Sequence, residues 1–146
     1  MLKDVERLRE MTGAGVMECK RAIEEAGGDM EKAVSLIHAR GFERAEKKKD
    51  RATGAGLLHA FVHNDRVGVL VEIRSETDFV ARSDEFKDLA HSLALQIAAM
   101  NPDDVRVLLA QPYIRDELIT VEELVRRLVA KMGENIRVER FCRYEI

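Results

Sequence analysis

No stretch of this sequence stays apolar long enough to cross a membrane, because Lys, Arg, Asp or Glu interrupts every run. Cysteine is scarce. Cys19 and Cys142 stand far apart and in no metal-ligand spacing. A net charge of −3 leaves no global electrostatic pull towards nucleic acid or a membrane. The first residues, Met1-Leu2-Lys3-Asp4-Val5, read as amphipathic helix rather than a signal peptide. The expected setting is therefore a reducing cytoplasm with free thiols. What is present is ordinary globular material: 146 residues, 46 % hydrophobic and 35 % charged, enough for a core and too apolar for a disordered chain.

The spacing of apolar residues divides the chain. Residues 1–41 read as three short helices. Leu2, Val5 and Leu8 share a stripe on the first, and Gly13 stands where a left-handed cap needs no Cβ. Val16, Cys19, Ile23 and Ala26 share a stripe on the second, which stops at Gly27-Gly28. Asp29 caps the third, with Met30, Ala33 and Ile37 inward and its end at Gly41. Such a bundle has a core too small for much stability alone. Residues 42–54 form a charged, helical linker. Its run Lys47-Lys48-Lys49-Asp50-Arg51 reads as a solvated face, since acids interrupt it and no aromatic is interleaved.

Residues 55–146 form a second, α+β unit. Alternating stretches flank Asn64-Asp65, which read as a two-residue turn placing Val62 opposite Val67, Ala60 opposite Val69 and Leu58 opposite Val71. Ser83 caps a long helix with the stripe Phe86, Leu89, Leu93, Ile97 and Met100. Residues 103–119 lack a pattern. Thr120 opens a further helix with Val121, Leu124, Leu128 and Met132 in phase. The tail alternates, with Ile136, Val138, Cys142, Tyr144 and Ile146 on one face and Arg140 the exception. The expected unit is a three-stranded antiparallel sheet covered by helices.

Enzymatic constellations are missing. His59 and His63 share a strand face, but four residues of strand put them about 13 Å apart, too far to chelate one ion alone. Thr12-Gly13-Ala14-Gly15 and Thr53-Gly54-Ala55-Gly56 lack phosphate-loop spacing and follow no strand. Both cysteines fall on apolar stripes and read as buried thiols. One segment stands apart: Ser75-Glu76-Thr77-Asp78-Phe79-Val80-Ala81-Arg82, between hairpin and long helix. Phe79 beside an acid at a connection is either tucked beneath the hairpin or held out for a partner.

Four stretches carry a resemblance. Leu8-Arg9-Glu10-Met11-Thr12-Gly13-Ala14-Gly15-Val16-Met17-Glu18-Cys19-Lys20-Arg21-Ala22 is similar to the N-terminal signature of the elongation factor Ts family. Glu76-Thr77-Asp78-Phe79-Val80-Ala81-Arg82 resembles its second signature. Gly28 to Ala33 and Lys131 to Ile136 are similar to the family too, and the four occur in its order.

The resemblance implies a ubiquitin-associated-like three-helix domain at 1–41 and an α+β core domain at 55–146. It implies no enzyme and no cofactor of its own. The implied activity is guanine-nucleotide exchange on elongation factor Tu, GDP-bound or nucleotide-free. Arg9, Val16 and Met17 would contact that partner. Val16 stands where the family commonly has Met and is in phase with its helix's core stripe; Met17 is out of phase, which suits an adaptable binding surface. Thr77, Asp78, Phe79 and Val80 would lie near the partner's Mg²⁺ and phosphate site. Longer members carry a duplicated core, so this single-core chain is expected to form a homodimer. The alternatives are an adaptor binding a peptide or ubiquitin-like surface through residues 1–41, and a nucleic-acid binder through Lys47 to Arg51.

Overall fold

The computed structural model describes residues 1–146. The chain opens with α1 (Leu2–Thr12), α2 (Val16–Glu25) and α3 (Met30–Lys48). Gly13 takes φ 70° and its N–H donates to Arg9 O at 2.7 Å, closing α1. Asp29 accepts from Lys32 N at 3.1 Å and starts α3. Val5, Leu8, Cys19, Ala22, Ile23, Ala33 and Ile37 form one small core. Leu2, expected inward, is exposed at the first position of α1, and the buried stripe of that helix is Val5 and Leu8. Val16 is also exposed, and the inward face of α2 starts at Cys19.

The third helix does not stop at Gly41. It runs seven residues further, and Gly41 serves a close approach instead: a Cβ there would lie 2.9 Å from the Ala130 Cβ of α7 (Val121–Met132). One turn on, Ala45 is buried in the second core. A single helix therefore contributes to both cores.

That second core lies in the α+β half, the expected fold class. Strands β1 (Ala55–His63), β2 (Val67–Ser75) and β5 (Ile136–Glu145) form an antiparallel sheet in the order β1-β2-β5. Between β2 and β5 come α4 (Asp78–Ala81), α5 (Asp84–Met100), α6 (Val105–Ala110), a small hairpin of β3 (Pro112–Tyr113) and β4 (Asp116–Thr120), and α7. Phe86, Leu89, Ala90, Leu93, Ala94 and Ile97 of α5 pack on the sheet's inner face. Met100 lies past the packed stretch and is exposed. On α7 Val121 is buried as expected, but the deep stripe then continues through Val125 and Val129, one residue beyond the expected Leu124 and Leu128; Leu124, Leu128 and Met132 flank it, partly buried. The unpatterned 103–119 is α6 and the hairpin, held by the fully buried Gln96. Its amide oxygen accepts from Ile114 N at 2.9 Å, and its amide nitrogen donates to Pro112 O at 3.1 Å and Gln111 Oε1 at 3.2 Å.

The hairpin register differs from the expected one by a residue. Arg66 joins Asn64 and Asp65 between the paired ends His63 and Val67, so Val62 faces Gly68, Ala60 faces Leu70 and Leu58 faces Glu72. A one-residue shift moves every side chain to the other face. Leu57, His59 and Phe61 share the inner face with Val69, Val71 and Ile73, whereas Leu58, Ala60 and Val62 point away from the helices. The tail is not one alternating face either. A bulge between the pairs Ile73↔Val138 and Glu72↔Arg140 leaves Glu139 unpaired. Ile136 and Val138 therefore point in, with Phe141 after the bulge, while Arg140, Cys142 and Tyr144 point out. Cys142 is exposed rather than buried; Cys19 is buried as expected, and burial pushes its thiol pKa up.

Candidate functional site

Thr77 caps the single turn of α4, whose residues run from Asp78 to Ala81. Its hydrogen bonds explain why so short a helix holds. Thr77 is extended at φ −123°, and its hydroxyl accepts from Val80 N at 3.4 Å. Ser75, fully buried at the end of β2, donates its hydroxyl to Thr77 O at 2.9 Å. Glu134, 57 residues away in sequence, accepts from Thr77 N at 2.9 Å and from Thr77 Oγ1 at 2.7 Å. Val80 and Ala81 sit in the core. The base of the turn is thus anchored from three sides.

Its tip is not. Phe79 is 84 % exposed, and Thr77 and Asp78 are exposed beside it. Of the two readings open in the sequence, the structure has Phe79 held out. An aromatic ring left in water on a pinned turn forgoes ~2–3 kcal/mol of burial that a partner pocket would recover. Val80 faces the opposite way, into the core, and anchors the turn rather than presenting a surface.

A second exposed apolar surface lies on the N-terminal helices. Val16 and Met17 at the start of α2 are 49 % and 60 % exposed, and Arg9 on α1 is exposed. Met11, at the end of α1, is exposed too. It was not singled out from the sequence; its place four residues before the break at Gly15 was the available signal. The Thr77–Phe79 turn packs on β1, β2 and α5, while α1 and α2 pack on each other and on α3, so the two surfaces belong to different parts of the molecule.

Between those parts runs a cleft of about 740 Å³, bordered by Gly13 and Glu18 on one side and by Glu85, Arg127 and Lys131 on the other. Lys131 and Glu85, both on the second of these sides, approach to 3.7 Å. No group of three or more His, Cys, Asp or Glu side chains is placed to hold a metal ion. His59 does find a partner, but on a helix: its Nε2 lies 3.1 Å from His91 Nδ1 of α5, one hydrogen bond whose donor depends on tautomer. No helix is long and apolar enough to cross a membrane.

Similarity to known proteins covers nearly the whole chain. The family model described as Elongation factor TS matches residues 76–146, the stretch that starts at the Thr77 turn. Elongation factor Ts of Thermotoga petrophila is 45 % identical over 97 % of this chain and 94 % of its own length. The chain belongs to the elongation factor Ts family. Family members from Coprothermobacter proteolyticus and Moorella thermoacetica are 41 % and 38 % identical, over 97 % and 98 % of this chain and 95 % and 93 % of their own lengths. This is a family of translation elongation factors. The alignment with the Thermotoga petrophila relative runs over 186 positions, against 146 residues here, so at least 40 positions of that relative have no counterpart in this chain.

Proposed function

We propose that this chain binds elongation factor Tu, GDP-bound or nucleotide-free, and promotes GDP release so that GTP can replace it, without covalent chemistry of its own. The single observation that carries this reading is Phe79: a large ring 84 % exposed on a turn pinned from three sides, inside a segment resembling the family's second signature. Membership of the elongation factor Ts family supports this choice of partner. The N-terminal helices, ubiquitin-associated-like in this reading, dock Arg9, Val16 and Met17 on the GTPase, and the turn reaches its Mg²⁺ and phosphate site. Magnesium demands near-ideal octahedral geometry, so a small displacement of its ligands by Phe79 or Asp78 weakens it sharply. Thr77 and Val80 hold these two residues in place.

Magnitudes limit what one residue does. A ~10⁴-fold acceleration of release needs about 5.5 kcal/mol of barrier lowering. One buried aromatic supplies ~2–3 kcal/mol. The turn must therefore act with the docking surface. Linkage is reciprocal, so nucleotide weakens factor binding as much as the factor weakens nucleotide binding. Release of fluorescent GDP from elongation factor Tu, with and without this protein, tests the reading. Unchanged release at saturating factor refutes it.

The same reading makes the active species a homodimer in the cytoplasm. The outer face of the sheet supports this, with Leu58 and Val62 62 % and 63 % exposed and Leu70 and Tyr144 exposed on neighbouring strands. A second copy would cover that face and bring two turns to one assembly. A monomeric mass by light scattering at micromolar concentration rules it out.

A further inference from the structure

The exchange turn is poorly equipped to hold its own shape. One helical turn fixes several backbone dihedrals for very few hydrogen bonds and does not persist alone in water. The internal cap, Thr77 Oγ1 accepting from Val80 N, is long at 3.4 Å. The short bonds come from elsewhere: both carboxylate oxygens of Glu134 engage Thr77, one its backbone N–H and the other its hydroxyl. This two-point grip fixes both the position and the rotation of the residue from which Asp78 and Phe79 project.

Glu134 is itself held. It sits in the short connection from α7 to β5, next to Asn135, which is buried. Asn135 N donates to Glu76 Oε1 at 2.8 Å. Asn135 Nδ2 donates to Lys49 O at 3.1 Å and to Arg51 O at 2.8 Å, just past the end of α3. Glu76 also lies 3.6 Å from Arg51 Nη1. One two-residue segment thus touches the base of the exchange turn and the backbone leaving the helix that carries the N-terminal module.

We propose that Glu134 is a positioning residue for exchange. It sets the orientation in which Phe79 and Asp78 meet the GTPase, and Asn135 references that orientation to the end of α3. The inference rests on the exchange reading above. Glu134 and Thr77 lie at the surface, so losing their bonds has little effect on global stability. Displacement of a positioned group by an ångström is a large loss for a reaction step.

The test separates position from affinity. Glu134→Ala should lower the maximal rate of GDP release at saturating factor by about 10-fold. The factor concentration giving half the effect should stay within about 2-fold of wild type. Glu134→Gln should restore most of the rate, since an amide oxygen still accepts from Thr77 N and the amide N–H₂ still reaches Thr77 Oγ1. Thr77→Val keeps the backbone N–H bond to Glu134 but loses the hydroxyl bond and the cap on Val80 N, so it should act in the same direction, and the double variant should lose less than the two single losses combined. If Glu134→Ala melts early, the same split is read on Thr77→Val. An independent arm needs no GTPase: the chain has no tryptophan, so Phe79→Trp places a lone reporter on the turn. Adding Glu134→Ala to it should lower fluorescence anisotropy, and adding Glu134→Gln should not. Wild-type maximal rate in Glu134→Ala, a loss seen only in half-saturation, or unchanged anisotropy overturns the inference. So does Glu134→Gln as impaired as Glu134→Ala, because charge and not position would then matter. A wild-type protein that releases no GDP refutes the exchange reading instead, and the anisotropy arm still decides whether Glu134 orients the turn.

Discussion

The N-terminal helices and the α+β body bury apolar surface on very different scales. The helices share seven buried apolar residues, with Leu8 and Ile23 among the largest, while the second core holds eighteen, Ala45 of α3 among them, around Phe86, Leu93 and Ile97. Both nevertheless expose apolar residues at the surfaces proposed to meet a partner. The difference lies in how those surfaces are supported. Met17 and Val16 ride on a module whose own core is small, and their precision depends on α3 docking against α7 through Gly41 and Ala130. Phe79 rides on a turn fixed to the larger core by Val80, Ser75 and Glu134. Under the proposed function, a docking surface on a small core and a probe anchored to a large one would let the protein first find its partner and then deform it.

The largest effects should come from emptying the two cores. Phe86→Ala should cost ~3–5 kcal/mol and unfold the body cooperatively. Leu8→Ala removes as buried a side chain, worth ~2–5 kcal/mol, but from the smaller core. Amide hydrogen exchange should then show residues 2–37 unprotected while β2 and α5 keep wild-type protection. Loss of protection in both halves at once would mean that they fold as one unit, through α3, and the contrast between them would fall.

Next in size is the joint. Gly41→Leu forces a side chain against Ala130 and should cost about 1–3 kcal/mol by overpacking. The expected outcome is a module swung away from the body, visible as a larger radius in small-angle scattering, with the sheet unchanged. Unchanged scattering would show that α3 shifts and tolerates the bulk.

Smaller still in stability, though not in activity, are the exposed residues. Phe79→Ala should move stability by less than ~0.5 kcal/mol, because the ring has little to lose in the free protein. Release of GDP should slow by ~10–100-fold, the kinetic equivalent of up to ~2–3 kcal/mol. Met17→Asp should likewise leave the melt unchanged but weaken complex formation, as a charge desolvated in an interface is costly. Thermal melts beside release kinetics distinguish them: Phe79→Ala acts on the maximal rate, Met17→Asp on half-saturation.

Much of this contrast was legible in the sequence. Helix starts at Asp29, Ser83 and Thr120, the three-stranded sheet and the two cores follow from caps and apolar periods. What escaped depends on single residues or on distant partners. The period of a strand does not say whether Arg66 belongs to the turn, and that one residue decided which face Leu58 and Val62 take. The exception at Arg140 was visible, but its cause is an inserted Glu139 that only pairing with β2 exposes. Gly41 looked like a helix end because glycine ends helices; here it thins one helix so that another can approach. Thr77 to Phe79 stood out by composition, yet the grip of Glu134 spans 57 residues and has no local signature.

The smallest expected effect is a pH dependence that divides the two regions. His38 faces the cleft between module and body, stacked on Phe42 at 6.5 Å. Burial holds its pKa below the usual 6.5, and the charge of Arg127 on α7 pushes the same way. His59 lies in the body between β1 and α5, its pKa lowered by burial first and by His91 second. In each, the folded state resists protonation. The unfolded chain therefore binds more protons over the window that starts near pH 6.5 and extends down to the folded pKa. The stability contributed by each neutral imidazole is full above pH 6.5 and is lost as pH falls through that window. Exchange protection of α3 and α7 should therefore fall between pH 7 and 5.5 in wild type but not in His38→Gln, whereas the fall at β1 and α5 should disappear only in His59→Gln. If His38→Gln flattens the response everywhere, the cleft governs the stability of the whole chain, and the two regions are not energetically separate.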